Sequence, residues 1–290
     1  MLAFLLITIF AASLNSVLLH KLPKENDVFT FNFICSVIWF IVLFAINGFS
    51  ITFSKEIVFW GILYGIVQMF FLIFKTKAMG AGPVSITTLI GNCSLLLSTV
   101  VGIIVWKESI SRMQILGIAM LIVAFFLCTY SKSQDSKSKI WVFYCVFFFA
   151  CAAGVGITFK GYSKSLVDSE ERANDMMIIA SIAMMVLLAV KKGLDMFLAQ
   201  KKNEKIEKIS YDKTHLWIAL SSGVLSCVYN RLNIVLAGKL PAAVFYPCFN
   251  GGVILLSLIL SIILLKERLT LRQTIGLMIG TTAVLVIGLF

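Results

Sequence analysis

Arg231 stands inside an apolar run, Val228-Tyr-Asn-Arg-Leu-Asn-Ile-Val235, roughly 9 Å of helix rise before that run ends. A guanidinium stays protonated, so it must find carboxylate, carbonyl or water partners. Two readings follow: a cation lining a polar cavity, or a long side chain snorkelling to a nearby interface. Tyr229, Asn230 and Asn233 crowd the same turn and favour the cavity. They cannot all face one side, so some serve as helix–helix hydrogen bonds. Downstream, Pro241-Ala-Ala-Val-Phe-Tyr-Pro-Cys-Phe-Asn-Gly-Gly252 predicts a helix kinked at Pro247, which lacks a backbone donor. A kink followed by glycines leaves carbonyls and space beside Tyr246 and Asn250. The corresponding stretch earlier in the chain runs from Thr87 to Asn92, with Gly91. Asn15, Asn32, Gln68 and Lys160 are further polar residues in apolar surroundings. Lys160 follows Gly154-Val-Gly156 and reads as an interface marker ahead of a site residue. The expected substrate-binding set is Arg231, Asn230, Tyr246, Asn250, Asn92, Asn15, Gln68 and Lys160.

These residues bind; they do not catalyse. The chain has no HExxH, P-loop or GxSxG motif, and His20 and His215 fall near the ends of apolar runs. The reading is therefore not an enzyme, with no metal and no cofactor. All seven cysteines, including Cys35, Cys93 and Cys227, lie in apolar runs without CxxC spacing and read as small packing residues. No Asp or Glu lies deep in a run, whereas a cation carrier needs a buried carboxylate. With Arg231 and Lys160 as the charges at depth, the substrate expected is neutral, zwitterionic or anionic.

The elements that hold these residues follow from composition. Of 290 residues 60% are hydrophobic and 13% charged, with mean hydropathy +0.98. That balance belongs to integral membrane proteins. Ten apolar stretches reach the roughly 17–25 residues needed to cross the hydrocarbon core. They lie at 1–20, 28–47, 56–74, 83–106, 112–130, 140–159, 174–190, 214–237, 241–265 and 270–290. All are expected to be helices, because an open strand would leave backbone groups unpaired in lipid. The seventh is the shortest on apolar residues. The first reads as a retained helix, since no basic leader precedes it.

The net charge of +11 does not point to nucleic acid, because the basic residues gather between spans. Alternate loops hold 17 Lys and Arg on one side, among them Lys21, Lys75, Lys77 and seven Lys between 191 and 213, against seven on the other. The positive-inside rule then places both termini outside.

An internal echo organises the ten spans. Ala78 to Gly117 repeats without a gap 159 positions later: Leu96-Leu97-Ser98 matches Leu255-Leu256-Ser257, and Lys107-Glu108 matches Lys266-Glu267. Gln114 likewise matches Gln273, and Gly117 matches Gly276. A duplicated unit of five spans must enter the membrane from the opposite side the second time, which makes the repeats inverted. The fold class expected is all-α integral membrane, ten transmembrane helices in a 5+5 inverted repeat. Residues 1–130 form one repeat, 131–139 a linker and 140–290 the other. Glu108 and Glu267 read as structural pins of the repeat, with gating as the alternative. Gly61 and Gly65, and Gly276 and Gly280, make GxxxG packing faces.

The pattern Ala78-Met-Gly-Ala-Gly-Pro-Val-Ser85, then Trp106-Lys-Glu108, then Gln114-Ile-Leu-Gly117 resembles the EamA-type repeat of the drug/metabolite transporter superfamily. The second copy has Ala237-Gly-Lys-Leu-Pro-Ala-Ala-Val244, Leu265-Lys-Glu267 and Gly276. The resemblance implies a carrier working by alternating access. Its expected cargo is a small polar metabolite, amino-acid-like or another zwitterionic or anionic solute, with export as the expected direction. Relatives are usually drawn with both termini cytoplasmic, opposite to the charge reading. The bilayer of a cell membrane, bacterial inner or plasma membrane, is the expected setting. A proton or a counter-substrate is the open choice of coupled partner. A monomer is expected, with a dimer as the alternative. A lipid-handling or interaction protein on the same fold is the competing function, distinguished by a groove open to the bilayer.

Overall fold

The computed structural model describes residues 2–22, 27–94, 97, 101, 104–105, 107, 111–129, 139–166, 169, 171–201, 213–239, 242–267 and 269–289. Within these, the side chains of 114, 125, 128–129, 159, 199–201, 234–235, 237–239, 242–248 and 287–289 fall outside the described set. The described residues form ten helices. They are α1 (Leu2–His20), α2 (Val28–Ile46), α3 (Lys55–Ala81), α4 (Val84–Asn92) and α5 (Arg112–Thr129), then α6 (Lys139–Ser165), α7 (Ala173–Lys201), α8 (Lys213–Lys239), α9 (Ala242–Leu265) and α10 (Leu271–Leu289).

By length and composition, α1, α2, α3, α6 and α7 can each cross a membrane, judged on the described residues. The apolar exterior agrees: Phe10, Phe59, Phe126, Phe143 and Ile263 are among many large hydrophobic side chains left exposed. In water such a surface would drive association; in lipid it is the contact surface.

Three helices outrun the apolar stretches that announce them. α3 continues past Phe74 through Lys75 and Lys77 to Ala81. Its stop signal is Gly82-Pro83, because proline cannot continue a helix and disfavours helical geometry in the residue before it. α6 carries on through Lys160 to Ser165, and α7 through Lys191-Lys192 to Lys201. Moving Lys75 and Lys77 out of the loop lowers the larger side of the charge count from 17 to 15 and leaves its excess.

Helix starts are held by side chains. The Asp27 carboxylate accepts from Phe29 N–H at 3.0 Å and opens α2, and Ser54 Oγ accepts from Ile57 N–H at 3.2 Å to open α3. At α10, Thr270 N–H donates to Gln273 Oε1 at 3.0 Å while Gln273 N–H donates to Thr270 Oγ1 at 3.3 Å. This reciprocal box satisfies two orphan donors.

The helices interleave across the sequence. α3 packs along α6 and α7, α1 along α8 and α9, α2 along α7 and α8, and α5 along α10. Exchanging the first five helices with the last five returns most of that set: α3–α6 becomes α8–α1, α3–α7 becomes α8–α2, and α2–α7 and α5–α10 map onto themselves, whereas α1–α9 becomes the smaller contact α6–α4. Lys107 and Lys266, equivalent in the sequence echo, share a left-handed backbone with φ of 52° and 53°.

Close packing rests on small residues. A Cβ on Gly65 would stand 2.6 Å from the Ala180 carbonyl oxygen, and one on Gly61 would meet Ile179 at 2.8 Å. The Gly61/Gly65 pair is thus a packing face of α3 against α7. Gly280 lies against Leu89 and Ala124 in the same manner.

Candidate functional site

Polar side chains from both halves of the chain meet where α1, α3 and α8 converge. Asn15 of α1 is 1% exposed, and its Oδ1 accepts from Ser222 Oγ of α8 at 2.5 Å. Asn15 and Asn230 both lie within hydrogen-bonding reach of the Tyr229 hydroxyl. Below this group, Trp39 Nε1–H of α2 donates to Ser226 Oγ at 2.7 Å, and Cys35 Sγ donates to the Ala219 carbonyl at 3.6 Å. Asn230 Nδ2 returns a bond to Ser226 O at 2.8 Å.

On α3 the residues Tyr64, Gln68, Phe71 and Lys75 recur at helical spacing along one face. Gln68 is 1% exposed, and neither of its amide atoms has a hydrogen-bond partner among the described residues. An orphaned buried amide costs about 1–3 kcal/mol, so it calls for an explanation. Lys75 is 6% exposed. Its ammonium lies 5.5 Å from the centre of the Tyr229 ring and 5.8 Å from that of Phe71. No carboxylate pairs with it among the described residues; the ion pairs found there are Lys191–Asp195 and Lys192–Asp27. Two aromatic faces attract a cation, but each supplies less than a carboxylate would. Intramembrane ionisable residues kept at such a cost are functional by default.

The sequence places Lys75 in a loop and leaves Arg231 and Lys160 as the expected charges at depth. The helix corrects this: α3 extends past the hydropathic stretch and carries the ammonium inward. Two signals carried the information. The helix stop is at Gly82-Pro83, not at the first lysine, and Lys75 is two turns from Gln68 on the same face. Lys77, two residues on, points elsewhere and lies over Phe29 and Tyr144 at 5.6 and 5.5 Å.

The other expected site residues fall in several places. Asn15 and Asn230 join the cluster, and Gln68 shares its α3 face. Arg231 is half-buried beside Cys227, with Nε unpartnered. Asn250 is buried on α9. The side chains of Tyr246 and Pro247 lie outside the described residues, as does the whole of Glu108. Asn92 donates its amide to Thr88 O of its own helix at 2.8 Å, and Asn32 does the same to Val28 O at 2.8 Å. Lys160 sits half-buried on α6. Asn230 and Arg231 lie on α8 and Asn250 on α9, and α1 packs along both helices. The glycines after Asn250 serve packing: a Cβ on Gly252 would stand 2.5 Å from Ile9 Cδ1 of α1.

A second polar contact joins the halves at one end. The Glu267 carboxylate, in the turn between α9 and α10, accepts from Val84 N–H at 2.5 Å and Ser85 Oγ at 2.8 Å. A carboxylate at a helix N-terminus satisfies orphan donors and complements the dipole. Glu267 is therefore a pin on α4. On the same side His20 Nδ1 lies 2.6 Å from Met79 O.

At the α2 N-terminus, burial alone would push the Asp27 carboxyl up. Thr30 and Lys192 hydrogen bonds, the Lys192 charge and the Phe29 N–H outweigh it and hold the group below its ordinary 3.8.

Residues 1–130 match the EamA-like transporter family. No curated protein matches the chain. A protein of known crystal structure shares the fold with a TM-score of 0.61 at 14% identity, covering 98% of this chain and 97% of that one. With its apolar helices, the chain is a multi-pass membrane protein whose residues 1–130 are similar to the EamA-like transporter family.

Proposed function

We propose that this protein is a secondary transporter of a small polar solute, working by alternating access between two inverted five-helix halves, with export as its direction. The observation that carries the reading is the polar cluster of buried Asn15, Gln68, Lys75 and Tyr229 with half-buried Asn230, drawn from α1 and α3 of one half and α8 of the other. A site between halves is where a rocking carrier holds its substrate. The exchange symmetry of the helix contacts and the paired left-handed lysines support the inverted repeat. The same cluster weighs against lipid handling, because its polar residues are enclosed by helices and not turned toward the bilayer.

The test is purified protein screened for thermal stabilisation against charged, zwitterionic and neutral metabolites, since a ligand that binds only the folded state raises its apparent stability. Compounds that stabilise are then followed for uptake into proteoliposomes. Stabilising compounds that never accumulate, together with lipid movement between leaflets, would replace the carrier with the lipid-handling reading.

A further inference from the structure

We propose that Lys75 is the residue that binds the substrate, and that the substrate is a small organic anion carrying a carboxylate, in preference to a zwitterion. The inference rests on the carrier reading above and narrows its cargo. Three observations lead to it. Lys75 is buried on α3 with its ammonium beside the Tyr229 and Phe71 rings and no carboxylate opposite it among the described residues. Gln68, two turns earlier on the same face, holds two polar atoms that nothing among the described residues satisfies. Two turns are about 10 Å of rise, and a lysine stem leaning back toward the helix N-terminus closes much of that distance. One small molecule can therefore engage both groups.

The charge of the site decides the class of ligand. Its polar members apart from Lys75 are Gln68, Asn15, Asn230, Ser222, Tyr64 and Tyr229, all neutral amides, hydroxyls or phenols. A carboxylate gains an ammonium partner there. A substrate ammonium would lack its own carboxylate and would sit beside a like charge, which disfavours amino acids. Carried back beyond Ala78 at the same 159-residue offset, the echo sets Lys75 opposite Ile234 and Gln68 opposite Cys227, so the site is one-sided. The anionic end of the substrate is thus held by the first half alone, with Tyr229 of the second half facing it.

The experiment reads the field at the site before any substrate is known. In full-length protein with its seven native cysteines replaced, Gln68→Cys is reacted with an anionic and a cationic methanethiosulfonate of similar size. With Lys75 present, the anionic reagent is expected to be favoured by about tenfold over the cationic one. Lys75→Gln should bring the ratio near one, and Lys75→Arg should keep it, which separates charge from folding. A ratio indifferent to Lys75→Gln, or a cysteine that neither reagent reaches, would overturn the site. In proteoliposomes, counterflow of benzoate and pyruvate is compared with that of phenylalanine and alanine. Carboxylate transport lost at least about tenfold in Lys75→Gln is the expected result. Transport of an amino acid that survives Lys75→Gln would overturn the anion assignment and leave the carrier reading intact. A Lys75-dependent reagent ratio with no transport of any probe would uphold the site and remove the carrier reading.

Discussion

The pin at Glu267 joins the two halves through a single side chain. Its carboxylate bonds a backbone N–H and a hydroxyl at the start of α4, so Glu267→Ala is expected to lower stability in detergent by about 1–3 kcal/mol, with Glu267→Gln losing less because an amide oxygen still accepts one bond. Denaturant titration of the purified protein measures both. Asp27 offers a pH-resolved counterpart. Its carboxyl is held below 3.8 in the folded protein, so its contribution is complete above the unfolded value and is lost as pH falls through the folded one. The stability gap between wild type and Asp27→Asn should stay level from neutral pH down to about that value and shrink below it. A gap that narrows between pH 7 and pH 5 would contradict the Lys192–Asp27 contact. Lys75 is buried and Arg231 only half-buried, so Arg231→Gln should impair transport less than Lys75→Gln. The reverse ranking would return Arg231 to the centre of the site. Much of this residue-level detail was legible beforehand. Asn15, Gln68 and Asn230 stand out as polar letters in apolar words. Lys75 did not, because a lysine just after Phe74 looks like the end of a span until the helix is followed to Gly82-Pro83.

Among elements, α3 does the most positioning. It presents Gln68 and Lys75 on one face, and Gly61 and Gly65 fit it against α7. Gly65→Ala should cost about 1–3 kcal/mol, because the added carbon meets a backbone carbonyl that cannot turn away. Gly80→Ala on the same helix has nothing within 4 Å and should be neutral or gain up to about 1 kcal/mol from helix propensity. Unfolding curves of the two variants test the contrast. The existence of most helices could be read from hydropathy, and the α10 start from Thr270 and Gln273. Helix ends could not. Lysine stems can lie along a helix while their heads find water or rings, so α3, α6 and α7 continue past the point where apolar residues stop. Partner choice was hidden as well. Helices α8 and α9 are neighbours in sequence, and α1 supplies a packing surface for both. Nothing in a local sequence window encodes which distant helix will fill a groove.

At the scale of the molecule, the positive-inside rule applied to the basic excess on one side predicts that Lys202 and Ser133 face the cytoplasm. Cysteines introduced at Lys202 and Ser133 should both resist impermeant reagents in intact cells, and one at Phe49 should label readily. Labelling at Lys202 would invert the orientation. The interleaving of helices has a further consequence, for biosynthesis. α1, α2 and α3 find most of their packing partners in α6, α7, α8 and α9, which the ribosome delivers much later. Until then Asn15 has no Ser222, Trp39 has no Ser226 and the α4 start has no Glu267. The nascent first half must wait in the bilayer with polar groups unanswered, which makes it a natural client for insertion chaperones and membrane proteases. A chain stopped after residue 138 should therefore be degraded quickly. Supplied with residues 139–290 from a second gene, it should be rescued, because the missing surfaces are all provided in trans.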